Sequence, residues 1–306
     1  MIYTLTLNPS VDYFLHIQDF KEGDLNLSTY SNILSGGKGI NVSMVLANLQ
    51  VKSTALGFIG GFVGEQIVQT LKHNKIANDF IHLNENTRIN IKLYNKSSKI
   101  ETEIAGFSPN ILAIQEVQLI NKISSIVKAG DILVLSGSIP STVQKDIYKI
   151  ISQKLHLGTK VVLDTRGTSL KENLHNNFLI KPNIKELTEM FGKSLTNHEE
   201  IIDSCNYFFD IGVENVMVSM GKDGSLLLNK SSIYRALPIK LEVNNSVGAG
   251  DSMVAGFVYG TYINKSLVES YKLSVASSCA TISSGGFAKE ETIKKFINQI
   301  EIEQIK

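Results

Sequence analysis

Short apolar runs alternate with amphipathic stretches along most of this chain. Ile2 to Leu7 is a compact run of the kind a buried strand carries. Val42, Val45, Leu46 and Leu49 then recur at helical spacing and predict a helix over 40–49. Thr54 to Ile59 reads as a strand and 66–75 as a helix. Further strands are expected at Asp131–Ser136, Lys160–Asp164, Asn177–Lys181 and Asn215–Ser219. Helical stretches separate them, at about 110–129, 141–156, 184–191 and 197–211. Strands alternating with helices build parallel β-α-β units, and strands this uniformly apolar suit a sheet covered on both faces. The expected class is α/β, three layers deep, with a mainly parallel sheet.

Two segments break the rhythm. Residues 12–34 show no helical period. Residues 87–107 read as a hairpin, in which Ile89, Ile91 and Leu93 alternate with Arg88, Asn90 and Lys92. On the return, Ile100, Thr102 and Ile104 alternate with Glu101 and Glu103. One face of the outgoing strand is therefore apolar and the other polar and basic. Strands inserted this way do not join a parallel sheet easily. Residues 12–34 and 87–107 are expected to form a small β-sheet lid over an α/β body made of 1–11, 35–86 and 108–306.

Composition narrows the classes. Thirty Lys and Arg against 29 Asp and Glu leave a formal charge of +1, so no global basic field holds nucleic acid or an anionic membrane. Hydrophobic residues at 43% and charged ones at 19% exclude a disordered chain. A globular chain this long buries roughly three quarters of its unfolded surface, so it needs no disulfide framework or structural metal. Cys205 and Cys279 stand far apart, and the six His show no metal-ligand spacing. Met1 to Pro9 has no basic start and reads as a strand entering a turn, not a signal peptide. No apolar run approaches the ~20 residues of a membrane span. The expected setting is a reduced cytoplasm.

Five segments carry candidate chemistry, each with a plainer reading beside it. Ser35-Gly-Gly-Lys-Gly-Ile-Asn41 opens a helix, where backbone amides and Lys38 suit an anion. A tight turn with a solvated lysine fits equally, and Val42 stands where a dinucleotide fingerprint needs its third glycine. Asn245-Ser-Val-Gly-Ala-Gly-Asp-Ser252 offers an anion hole at Gly248, Ala249 and Gly250, with Asp251 as a general base beside it. Alternatively Asp251 only complements a helix dipole. Lys181-Pro-Asn-Ile-Lys-Glu186 suits nucleotide phosphates and Mg²⁺, yet Asn183 and Glu186 also have the spacing of a capping box, the reading that spacing alone favours. Ser219-Met-Gly-Lys-Asp-Gly224 is either a nucleotide loop at the end of a strand or a β-turn. Ser136-Gly-Ser-Ile-Pro140 offers hydroxyls to a ligand or a cap to the next helix. No P-loop, Gly-x-Ser-x-Gly elbow or His-Glu-x-x-His is present.

The order of these segments is more telling than any one of them. Asn-Pro-Ser-Val-Asp12, Gly-Gly-Lys-Gly-Ile-Asn41, Thr87-Arg-Ile-Asn90, Ser-Gly-Ser-Ile-Pro140, Lys-Pro-Asn-x-x-Glu186 and Val-Gly-Ala-Gly-Asp251 follow one another along the chain. This series resembles the ribokinase-like (PfkB) carbohydrate kinases over nearly the whole length. The resemblance implies a three-layer α/β/α body with a β-sheet lid that often clasps two subunits into a homodimer, and ATP with Mg²⁺ as the phosphoryl donor. It implies Asp251 as proton acceptor, and Gly248, Ala249 and Gly250 as the anion hole. Asn183 and Glu186 match the motif that arranges Mg²⁺, with Lys181 beside the nucleotide phosphates, and Ser219, Gly221 and Gly224 match the nucleotide loop. Asp12, Gly37, Lys38, Asn41 and Ser138 match sugar contacts, joined by Arg88 and Asn90 from the lid.

Lys38 with Arg88 supplies two cations for a sugar that already bears a phosphate. The implied reaction is phosphorylation of fructose 1-phosphate at its 6-hydroxyl, with tagatose 6-phosphate and fructose 6-phosphate as rival acceptors. Leu27 and Met44 replace arginines common among related kinases, and Arg166 replaces a serine. A catalytically silent sugar-phosphate sensor would have no use for a base beside an anion hole. A nicotinamide oxidoreductase would need the missing fingerprint.

Overall fold

The computed structural model describes residues 1–306. The chain opens with β1 (Ile2–Thr6), adds β2 (Ser10–Ile17) and β3 (Ser28–Gly36), and continues through α1 (Lys38–Asn48) to β4 (Thr54–Gly60). Helix α2 (Gly61–His73), the short strands β5 (Ala77–Asn78) and β6 (Ile81–Leu83), and a hairpin of β7 (Arg88–Asn95) and β8 (Ile100–Ile104) follow. Then come α3 (Ala113–Ile126), β9 (Ile132–Ser136), α4 (Ile147–Gln153), β10 (Lys160–Asp164), α5 (Thr168–Glu172) and β11 (Leu179–Ile180). Helices α6 (Ile184–Phe191) and α7 (His198–Asp210) lead to β12 (Asn215–Ser219), β13 (Ser225–Leu228) and β14 (Ile233–Ala236). The chain ends with α8 (Ala249–Tyr262), α9 (Leu267–Ser284), α10 (Glu290–Ile297) and β15 (Ile302–Gln304).

The large sheet has the order β15-β14-β13-β12-β11-β10-β9-β1-β4-β5, with β6 also on β4. Strands β4, β1, β9, β10, β11 and β12 run parallel, and β13 to β15 close one edge antiparallel. The apolar runs are continuous because both faces are covered. Leu133, Leu135 and Leu163 pack with α3, α4 and α7, whereas Ile132, Val134 and Val162 pack with α1, α8 and α9. A separate four-stranded sheet has the order β3-β2-β7-β8, with β2 and β7 parallel. Its register places Asp12 opposite Asn90 and Ser10 opposite Arg88, so the polar residues of both strands share a face.

Some expected boundaries move for physical reasons. The strand expected over 177–181 contracts to Leu179–Ile180, since the buried Asn177 side chain instead accepts from the His175 amide at 2.9 Å. The helix expected over 141–156 begins only at Ile147. Residues 141–146 are turns tied to the neighbouring elements, with Thr142 accepting from the Ile111 amide at 3.1 Å. Helix α9 has no clear amphipathic period because α8 presses onto it. A Cβ at Gly256 would lie 2.5 Å from the Leu273 carbonyl oxygen, and one at Gly260 2.6 Å from Ser270 Oγ.

Candidate active site

The carboxyl ends of the parallel strands and the polar face of the small sheet enclose a cavity of about 330 Å³ with no hydrophobic residue in its lining. Asp12, Gly37, Lys38, Asn41, Arg88, Asn90 and Ser138, all expected from the sequence, line it together with Glu186. Asp12 is held by two donors, Ser10 Oγ and Asn90 Nδ2, each at 2.8 Å from Oδ1. Asn90 is itself fixed, since its Oδ1 accepts from the Gly106 amide at 3.0 Å. Arg88 donates to the Asn8 carbonyl at 3.2 Å.

The glycine turn before α1 exists because the helix start is pressed onto β1. A Cβ at Gly39 would meet Thr6 Oγ1 at 2.6 Å, and Gly37 has φ +131 with Thr6 Cγ2 only 2.7 Å from a built Cβ. The turn is tight, and it faces the cavity. Lys38 is not a solvated lysine. Its Nζ lies 3.0 Å from Asp164 Oδ1, and Lys181 Nζ lies 3.4 Å from the same atom. Burial opposes the Lys38 charge, but Asp164, Asp251 and Glu186 outweigh it and raise the lysine above its ordinary range. Burial likewise pushes Asp164 up, and Lys181 and Lys38 overcome it to hold the carboxyl below its ordinary value.

Asp251 lies in the first turn of α8 and is buried. Asn41 Nδ2 donates to its Oδ2 at 2.7 Å. Burial raises the Asp251 carboxyl, with the negative Asp164 adding to this, while Lys38, the Asn41 hydrogen bond and Lys181 work the other way. Gly248 is the N-cap, in the left-handed region at φ 78. The Ala249 amide is spent on the Ser246 carbonyl at 3.2 Å, so it is less available to an anion than the motif suggests. The Gly250 amide follows in the helix start, and a Cβ at Gly250 would be 3.3 Å from Lys181 Nζ.

A second cavity, about 340 Å³, lies against the start of α8. Asn183, Ser219, Gly221, Gly224, Ala249 and Gly250 form its polar wall. Gly224 is needed for the turn into β13, since a Cβ there would lie 2.2 Å from the Ala236 carbonyl oxygen. The same loop thus both reverses the chain and lines the cavity. The capping box is present: Asn183 Oδ1 accepts from the Glu186 amide at 2.8 Å, and Glu186 Oε2 accepts from the Asn183 amide at 2.9 Å. Ser138 caps no helix; its Oγ accepts from Asn8 Nδ2 at 3.2 Å.

Several lining residues carry no motif. Leu237, Pro238, Ile239 and Leu241, with Val275, Cys279 and Ile282, make the apolar wall of the second cavity. Asn8 ties the polar cavity to Ser108 and Ser138, and Asp164 joins two lysines distant in sequence. Asp164 was visible only as the last residue of a strand, the usual place for ligand contacts in such sheets.

Comparison with known proteins agrees with this geometry. The model of the pfkB family carbohydrate kinases matches residues 5–293. A 1-phosphofructokinase from Borreliella burgdorferi is 41% identical over 100% of this chain and 99% of its own. A D-tagatose-1-phosphate kinase from Bacillus licheniformis is 35% identical over 99% of each chain. The crystal structure of phosphofructokinase-2 from Escherichia coli in complex with fructose-6-phosphate superposes with a TM-score of 0.89 at 26% identity, covering 97% of this chain and 98% of that one. With a two-cavity α/β body, a polar second sheet and these relatives, the chain belongs to the pfkB family of carbohydrate kinases and is a phosphotransferase.

Proposed function

We propose that this kinase transfers the γ-phosphoryl group of ATP to the 6-hydroxyl of fructose 1-phosphate, giving fructose 1,6-bisphosphate. The observation that carries the reading is the hydrogen bond of 2.7 Å between Asn41 and Asp251. Asn41 lines the polar cavity, and Asp251 starts the helix whose Ala249 and Gly250 wall the other cavity. A sugar hydroxyl on one side and a terminal phosphoryl group on the other meet at this carboxylate.

Such transfer depends on positioning and charge stabilisation more than on covalent chemistry. Asp12 and Asn90 orient sugar hydroxyls in a fixed frame. Asp251 takes the proton as the hydroxyl oxygen attacks in line, and burial strengthens it as a base. The Gly250 amide, the positive end of α8, Lys38 and Lys181 face the charge that develops on the transferred group. Asp164 holds both lysines in place from a position that is only 1% exposed. The small sheet covers the sugar and keeps water from the phosphoryl group.

Mg²⁺ fits the residues present. No cluster of three or more His, Cys, Asp or Glu is placed to cage a metal, and Mg²⁺ at phosphoryl-transfer sites usually takes one or two carboxylates with waters and phosphates. Glu186 would hold the ion through water with Oε1, which the capping box leaves free, and Asn183 through the second lone pair of its Oδ1. When bound, it would neutralise charge on the nucleotide phosphates.

The tagatose-phosphate relative favours a second acceptor of the same size, a tagatose phosphate. ADP release from MgATP should be followed with fructose 1-phosphate, tagatose 1-phosphate, tagatose 6-phosphate, fructose 6-phosphate and fructose, comparing kcat/KM. Fructose 1-phosphate is expected to lead. A lead for a 6-phosphate would move the acceptor to the 1-hydroxyl, and silence with every sugar would overturn the kinase reading.

The lid also offers a face on which two copies would pair. Ile33, Ile89 and Ile104 lie on the face of the small sheet away from the polar residues and are exposed. A second copy docking there covers an apolar patch. Sedimentation velocity should show a dimer; a sharp monomer at working concentration would remove this part of the account.

A further inference from the structure

We infer that Arg166 is the second cation of the sugar-phosphate anchor, holding the phosphate together with Arg88. This deepens the sugar-phosphate reading above and rests on it.

Four cationic side chains line the polar cavity: Lys38, Arg88, Lys92 and Arg166. Two already have a carboxylate beside them. Lys38 is paired with Asp164 at 3.0 Å, and Lys92 lies 3.4 Å from Glu103 and 3.9 Å from Asp12. Neither arginine is paired with a carboxylate. Arg88 uses one N–H on the Asn8 carbonyl, and its Nε is buried with no acceptor at all. A buried guanidinium N–H without a partner is costly, and a phosphate oxygen is the acceptor its planar fork fits.

The two arginines are close enough to act on one anion: burial and the positive charge of Arg166 both weaken the hold of Arg88 on its proton, and both side chains line the same cavity. Together they carry the charge without a carboxylate partner that a dianion needs. Arg166 is also well placed by its backbone. It follows Asp164 and Thr165, both 1% exposed, and Thr165 Oγ1 donates to the Gly137 carbonyl at 3.0 Å. The turn is pinned while the guanidinium stays free to reach a ligand.

The test is steady-state kinetics of the full-length protein with MgATP, for the wild type, Arg166→Ala, Arg166→Lys, Arg88→Ala and the double alanine variant. In Arg166→Ala the KM for fructose 1-phosphate is expected to rise by about 10- to 100-fold, the loss of a charged hydrogen bond. Its kcat, its KM for ATP and its thermal midpoint should stay close to wild type. Arg166→Lys should recover part of the loss. The double variant should lose less than the product of the single losses, since both arginines hold one phosphate. An unchanged KM in Arg166→Ala, beside a large loss in Arg88→Ala, would overturn the inference and leave the sugar-phosphate reading standing. A matching loss in kcat and KM for ATP with a lowered midpoint would show a structural role and overturn it too. A wild type that phosphorylates no sugar phosphate would remove the reading and the inference together.

Discussion

Replacing Asp251 with asparagine is expected to lower kcat by about 10²- to 10⁴-fold, the usual worth of general-base help. The substitution keeps the size of the side chain, and the new amide oxygen can still accept from Asn41, so folding and the KM for ATP should change little. What is lost is the ability to take the hydroxyl proton. The pH dependence supplies an independent readout. Burial raises the Asp251 carboxyl, so the active, ionised form is lost as pH falls through a value above the ordinary ~3.9 of an aspartate. The acid limb of kcat/KM in the wild type should lie at that raised position. Asn41→Ala removes a hydrogen bond that favours the ionised form, so it should move the limb to still higher pH. A near-wild-type rate in Asp251→Asn would end the general-base assignment.

The second large effect is expected at Asp164. Its carboxylate is 1% exposed and is shared by Lys181, 5% exposed, and the more accessible Lys38. Asp164→Ala leaves Lys181 buried without a counter-charge, and breaking a buried pair from one side costs about 3–5 kcal/mol. Both lysines also lose their orientation, so the rate should fall with the stability. The pairing holds the folded-state carboxyl below its unfolded value, despite burial. Its contribution is therefore complete above the unfolded pKa of ~3.9 and disappears as pH falls through the lower, folded one. The gap between wild type and Asp164→Ala in urea unfolding should be full at pH 7 and narrow only below about pH 4. Coincident unfolding curves at pH 7 would contradict this.

How much could be read before folding differs by element. Leu133, Val134 and Leu135 are apolar in succession because both sheet faces are covered, and that run is plain in the sequence. The alternation of Arg88, Asn90 and Lys92 with Ile89 and Ile91 likewise announces a strand with one polar face, and that face does line the cavity. Helix α9 was not legible, because small residues facing Gly256 and Gly260 are buried on sides that an amphipathic helix leaves polar. Strands β13 to β15 carry no distinctive pattern, and the apolar wall from Leu237 to Leu241 has no motif.

At the site, single-segment readings were too exclusive. Asn183 and Glu186 form the capping box that spacing favours, yet they also border the two cavities. Lys38 could be located from its glycines, but not its partner, since Asp164 lies 126 residues away. Such pairings arise only when strands β1, β9 and β10 come into register and bring their ends together. The unpaired state of Arg88 and Arg166 is a property of the same assembly and leaves no local trace.

The most direct measurement is identification of the product by phosphorus NMR after incubation of the protein with MgATP and fructose 1-phosphate. The account predicts fructose 1,6-bisphosphate formed in a one-to-one ratio with ADP. ADP without the bisphosphate, or no turnover of fructose 1-phosphate under conditions where another sugar phosphate reacts, would contradict it.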